Sequence, residues 1–140
     1  MFLTVSMKSF RLIEVARMYF RRNKYHNKIV KAGDESFDSR KEYSRWIELK
    51  ILEDAGVIRN LQRQVKYVLI PAQREPESIN QRGRQIPGKV IEREVSYYAD
   101  FVYEQNGETI VEDTKGIRTD AYVIKRKLLL QRYGIRIREI

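Results

Sequence analysis

The chain has 140 residues, 42% of them hydrophobic and nine of them tyrosine, which is enough for one domain with a real core and argues against global disorder. It has no cysteine and a single histidine, His26, which excludes a disulfide frame, a thiolate metal site and a histidine-based zinc site. Any metal here would be held by oxygen, which suits Mg²⁺ or Mn²⁺, and the net charge of +9 points to a polyanionic partner, most economically nucleic acid.

The charge is unevenly spread: residues 1–41 carry +6, residues 42–115 carry −2 and residues 116–140 carry +5. Basic ends around a slightly acidic centre are the layout expected of phosphate-gripping arms around an acidic site. The apolar N-terminal run is broken by Lys8 and Arg11, and no stretch approaches the length of a membrane span. The expectation is a soluble, cytoplasmic protein with no membrane partner.

Taken in chain order, residues 8–22 place Leu12, Ile13, Ala16, Tyr19 and Phe20 on one stripe, predicting an amphipathic helix within an N-terminal segment 1–23. KYHNKIVKAGDESF predicts a short hairpin turning at Gly33. Asp38-Ser39 opens a helix that runs to about Ala55 and stops at Gly56, with Tyr43, Trp46, Ile47 and Leu49 on its core side. Residues 58–70 alternate apolar and polar and read as a strand ended by Pro71. All three prolines, with Gly83 and Gly88, fall in one polar stretch from Pro71 to about Glu92, so 72–92 reads as a long flexible loop. A hairpin around Asn106-Gly107 follows. Thr119 then caps a helix to about Arg132, and IRIREI forms a last strand. The predicted class is α/β with a mixed sheet.

The hairpin carries Asp100 on one arm and Asp113 with Lys115 on the other. Carboxylates are poor strand formers and repel across a ladder. A two-residue turn pairs Gln105 with Glu108, Val102 with Val111 and Asp100 with Asp113. A three-residue turn with a bulge instead sets Glu112 opposite Asp100. In either register an acid faces Asp100, and a divalent cation between them would turn repulsion into a binding site. Strand alternation favours Asp113 over Glu112, because it shares a face with Lys115. A solvated hairpin with scattered charges is the competing account.

Glu42 lies on the helical stripe of Trp46 and Leu49, so it points partly toward the core. A carboxylate there needs a partner or a metal. Ser39-x-x-Glu42 also matches a capping box, and the two roles are compatible.

A glutamate on a first helix, Asp100, then Asp113-Thr114-Lys115 at the end of the next strand, then a helix, resembles the PD-(D/E)XK nuclease superfamily and its αβββαβ core. More narrowly, KYHNKIV, FDSRKEYSRW, AGVIRNLQRQVKY, YYADFVY and VEDTKGIRT resemble a phage and prophage family of small, Holliday-junction-resolvase-like proteins. The resemblance covers roughly residues 24–140; Ala99 stands where the superfamily has a proline. It implies a restriction-endonuclease-like core, here with an extra N-terminal helix and hairpin.

The activity implied is Mg²⁺- or Mn²⁺-dependent hydrolysis of DNA phosphodiesters, on branched Holliday-junction or flap DNA in phage replication or recombination. Asp100 and Asp113 would bind metal, with the Thr114 carbonyl as a further ligand and Glu42 completing the site directly or through water. Lys115 would orient the attacking water or stabilise developing charge, and Gln64 matches a family glutamine that positions Lys115 or substrate. Thr119 and its helix N-terminus, with Lys125, Arg126 and Lys127, would contact phosphates. Lys24, Tyr25, Arg82, Arg84 and Lys89 are further DNA-contact candidates. His26 reads as a surface residue. Two cuts at a junction imply a homodimer. The alternatives are a non-catalytic nucleic-acid-binding module on the same fold and, more remotely, a structural phage protein.

Overall fold

The computed structural model describes residues 29–140, so the helix expected over 8–22, with Lys24, Tyr25 and His26, lies outside the described residues. Strands β1 (Val30–Ala32) and β2 (Glu35–Phe37) form the expected hairpin at Gly33. Its one buried side chain, Phe37, packs edge-on against Tyr43 at 5.0 Å and near Trp46 at 6.4 Å. Helix α1 (Arg40–Asp54) starts where Ser39 Oγ accepts the Glu42 amide at 3.1 Å. The Glu42 carboxylate reaches back to the Asp38 amide at 3.0 Å, a capping box displaced by one residue.

Strand β3 (Arg59–Ile70) pairs antiparallel with β8 (Val95–Gln105), and β8 pairs antiparallel with β9 (Glu108–Asp113). Helix α2 (Asp120–Tyr133) then returns the chain so that β10 (Arg138–Glu139) lies parallel to β9. The result is a mixed four-stranded sheet in the order β10-β9-β8-β3, with the chain order helix, three strands, helix, strand.

The core has two parts, one on each face of this sheet. Leu49 of α1 packs with Ile58, Phe101 and Tyr103. Leu129 and Tyr122 of α2 pack with Leu69, Tyr97, Ala99, Val111 and Ile137. Each fully buried Leu or Phe side chain here contributes about 1.5–3 kcal/mol relative to exposure. Ala99 and Phe101 are two residues apart yet belong to opposite faces, so the period-two alternation of β8 skips a residue at Asp100. The facing residue of β3, Gln64, lies between the paired Arg63↔Phe101 and Val65↔Ala99 and takes φ +50°. Both strands skip together, which leaves the register intact on either side.

Residues 72–92 are not the flexible loop that their prolines suggest. The β3–β8 ribbon continues outward through β4 (Gln73–Arg74) paired with β7 (Val90–Glu92), and β5 (Ser78–Ile79) paired with β6 (Gln85–Ile86). Pro76 and Pro87 occupy the gap between these two ladders, where no strand donor is required. Gly88 lets the two arms close there: a Cβ on it would stand 1.7 Å from the Glu75 carbonyl oxygen. Among the described residues, no helix is long and apolar enough to cross a membrane.

Candidate active site

The Asn106-Gly107 turn sets everything that follows. Both residues have positive φ, 52° and 78°, the pair of values that a two-residue hairpin turn with the strands' own twist demands. Gln105 pairs with Glu108, Val102 with Val111, and Phe101 with Glu112. The two-residue register therefore holds, and the bulged alternative that would set Glu112 against Asp100 does not occur.

Asp113 and Glu112 end β9 fully buried on opposite faces. Glu112 faces α1, where Arg45 grips it through Nε at 2.9 Å and Nη2 at 2.7 Å while the Tyr103 hydroxyl donates at 2.5 Å. That carboxylate raises the Arg45 guanidinium's pKa, chiefly through the hydrogen bond, and burial with the same contact raises that of Tyr103. Glu112 is a structural anion with both carboxylate oxygens engaged by these partners.

Asp113 faces α2 and is treated differently. Tyr97 donates its hydroxyl to Oδ2 at 2.7 Å, whereas buried Oδ1 accepts no hydrogen bond from any described residue. The Lys115 ammonium stands 3.3 Å from Oδ1 and 5.0 Å from the Tyr122 ring centroid. Burial pushes the Asp113 carboxyl up to about 6; nearby Asp100 adds to the rise, and Tyr97 and Lys115 oppose it. Burial also raises the Tyr97 hydroxyl, reinforced by the carboxylate it donates to.

Asp100 sits at the skipped position of β8. Its Oδ2 accepts the amide and the hydroxyl of Thr114, both at 2.7 Å, so Thr114 meets the site through its donors. Asp100 Oδ1 accepts from Gln64 Nε2 at 3.4 Å, and the same amide donates to Glu42 Oε1 at 3.2 Å. Glu42 is 2% exposed and also meets Arg63 at 3.4 Å, a guanidinium held 3.7 Å above the Phe37 ring. Glu42 thus joins Asp100 through Gln64, and among the described residues no three acidic or histidine side chains form one metal-sized group. Glu42, Gln64, Asp100 and Thr114 form one run of hydrogen bonds, and Asp113 with Lys115 forms a pair beside it, near enough for Asp100 to raise the Asp113 carboxyl.

The proposed DNA contacts separate into kinds. Thr119 Oγ1 accepts the Tyr122 amide at 3.2 Å as the N-cap of α2, and Asp120 occupies the first turn, so this helix start offers little to a phosphate. Arg126 is tied to Glu139 at 2.8 Å; Lys125 and Lys127 make no ion pair among the described residues. Arg126 and Lys127 line a groove of about 480 Å³ between α2 and β10. Glu139 collects Arg118, Arg126 and the Tyr122 hydroxyl, and these contacts, Arg126 first, hold its carboxyl down to about 2. Arg82, Arg84 and Lys89 lie exposed on the outer ribbon, without side-chain partners among the described residues.

Sequence reasoning missed Tyr97, Arg45, Arg63 and Tyr122. Strict alternation puts Tyr97 on the face opposite Asp100, and only the skip at Asp100 returns its hydroxyl to the site. Arg45 and Arg63 are ordinary surface-type positions in a linear pattern; their partners lie 67 and 21 residues away.

A family model described as protein of unknown function (DUF1064) matches residues 22–138, and the chain belongs to that family. Nothing matches among curated proteins or among solved structures.

Proposed function

We propose that this member of the DUF1064 family is a metal-dependent DNA endonuclease with a restriction-endonuclease-like core, hydrolysing phosphodiesters in branched DNA. The observation that carries the reading is Asp113: a buried carboxylate with one oxygen fixed by Tyr97 and the other left without a hydrogen bond, beside Asp100 and Lys115. Buried acids are ordinarily satisfied, as Glu112 one residue earlier is. An acid left short of partners beside a second acid suits a cation.

The donor set fits Mg²⁺ or Mn²⁺, which prefer oxygen ligands. Asp100 and Asp113 would hold the ion, and Glu42 would act on it only through Gln64 or water. Bound, the ion would supply the Lewis-acid charge that polarises the scissile phosphate and lowers the pKa of water. The protein's own groups do the remainder. Thr114 keeps Asp100 turned inward with two hydrogen bonds. Tyr97 keeps Asp113 from rotating, so that Oδ1 alone faces Lys115. Lys115, propped on the Tyr122 ring, is placed to orient water or to meet the charge that develops on phosphate oxygens. Water adds to phosphorus, one P–O ester bond breaks, and the departing alkoxide takes a proton.

The test offers four-way, flap, single-stranded and duplex DNA with Mg²⁺, Mn²⁺ or EDTA. Cleavage is expected only with metal, falling on the order of 10²–10³-fold in Asp113→Asn and Lys115→Ala, as for loss of one preorganised electrostatic group. Mn²⁺ titration followed by electron paramagnetic resonance should show a site that Asp113→Asn removes. Cleavage that survives EDTA, or is untouched by both substitutions, overturns the reading. Tight, salt-sensitive binding without cleavage of any substrate would instead identify a DNA-binding module. A homodimer in solution is expected if four-way junctions are resolved by paired cuts.

A further inference from the structure

Among the described residues, nothing packs on the outer ribbon, residues 73–92, to explain it. It continues the β3–β8 ladder beyond the sheet, where no third described strand accompanies it. From Gln73 to Glu94 every residue is exposed except Asn80 and Gly88, which are half-buried. An isolated two-stranded ribbon is marginal in water. Yet this one is braced: the Glu75 amide donates to the Lys89 carbonyl at 2.9 Å, and Arg74 donates to the Gly88 carbonyl at 3.2 Å. At its tip, Asn80 Oδ1 accepts the amides of Arg82 and Arg84, both at 2.9 Å. The turn is built from backbone and from Asn80, which leaves both guanidinium groups free.

The charges on this arm are sorted. Its base carries four glutamates at 75, 77, 92 and 94 against two arginines, Arg74 and Arg93, while residues 78–91 carry Arg82, Arg84 and Lys89 and no acid. Among the described residues those three side chains make no hydrogen bond or ion pair, in contrast to Arg45, Arg63, Arg118 and Arg126, which are all engaged. Ile79 and Ile86 flank the cationic tip at 73% and 43% exposure, on opposite faces, because Ile79 pairs with Gln85 and Ile86 with Ser78. A second copy of this chain would set cationic tip against cationic tip, which disfavours it as the occupant. A polyanion with a groove is complementary to both features at once: phosphates for the cations, and the sugar and base edges of a groove for the isoleucines.

We propose that residues 73–92 form a DNA-gripping arm, with Arg82, Arg84 and Lys89 on phosphates and Ile79 and Ile86 seated in a groove away from the cut. This rests on the reading that DNA is the substrate. The twelve residues from Pro71 to Arg82 limit the arm's reach to about 40 Å, roughly one duplex turn beyond the sheet.

The experiment measures binding in EDTA, so that cleavage plays no part. Fluorescence anisotropy with labelled duplex and four-way DNA is followed against salt for the full chain and for a triple variant, Arg82→Gln, Arg84→Gln and Lys89→Gln. Each lost phosphate contact lowers the slope of log K against log salt by about 0.9, so a drop of about 2–3 is expected. A second variant, Ile79→Ser with Ile86→Ser, should weaken binding several-fold with the slope unchanged. An unchanged slope in the triple variant, or no DNA binding by the full chain, overturns the arm. So does a fall in oligomeric state of the isoleucine variant with DNA affinity intact, which would assign the arm to a second copy. If the slope drops but no substrate is cut with metal, the arm stands and the nuclease reading fails alone.

Discussion

Glu112 and Asp113 are consecutive, fully buried carboxylates at the end of one strand, and the two faces of the sheet treat them oppositely. On the α1 face, Arg45 makes a bidentate pair with Glu112, Tyr103 adds a third hydrogen bond, and Arg138 stands 3.8 Å away. On the α2 face, Asp113 has one hydrogen bond, a lysine beside an oxygen that accepts none, and a second carboxylate for a neighbour. The first arrangement is what a fold needs in order to bury a charge. The second is what a fold tolerates when that charge has other work. Adjacent positions of one strand can therefore be told apart by how completely their surroundings satisfy them.

The widest separation should come from removing each anion's partner or charge. Arg45→Met leaves Glu112 buried with only the Tyr103 hydroxyl and the more distant Arg138 to compensate it, and should destabilise the protein by about 3 kcal/mol in urea or thermal unfolding. Asp113→Asn should do the reverse in metal-free protein. Because the folded-state pKa of Asp113 is raised to about 6 from an ordinary 3.8, its ionisation opposes folding progressively as pH rises through that window. At pH 7 the substitution should stabilise by on the order of 1–2 kcal/mol, and the gain should vanish below about pH 4. If Asp113→Asn destabilises at pH 7 as Arg45→Met does, the contrast between the faces is broken.

Gln64→Gly sharpens the same comparison at the skipped pair. A non-glycine residue at φ +50° is held against its preference, so glycine should stabilise by up to about 1 kcal/mol. It also removes the amide linking Glu42 to Asp100, so cleavage should fall while stability holds or rises. The smallest effect is at Glu139, which, like Glu112, is paired with arginine, here Arg118 and Arg126. Its folded pKa, held at about 2, lies below the ordinary 4.5, so its contribution is complete above about pH 4.5 and is lost as pH falls toward 2. Glu139→Gln should therefore lower stability modestly across the neutral range, flatten the acid limb of the profile, and make no difference near pH 2.

Much of the architecture was legible because it is written locally. Ser39 and Thr119 cap their helices, Gly33 turns the first hairpin, and Asn106-Gly107 fixes the second to one register, each through the backbone angles or hydrogen bonds of a few residues. That register alone put Asp100, Asp113 and Lys115 in one neighbourhood. The ribbon was misread for the same local reason. Prolines and glycines signal a loop by composition, whereas here Pro76 and Pro87 fall between two ladders and Gly88 is what lets the strands cross.

What the amino-acid order determined by itself was therefore the succession of elements and the pairing of the acidic hairpin, since both follow from near-neighbour sterics. Tertiary structure decided which acid is left wanting. That choice depends on Arg45 arriving from α1 to neutralise Glu112, and on the joint skip at Gln64 and Asp100 that turns Tyr97 toward Asp113. Desolvation and charge compensation are sums over groups brought together in space, and no local pattern contains them.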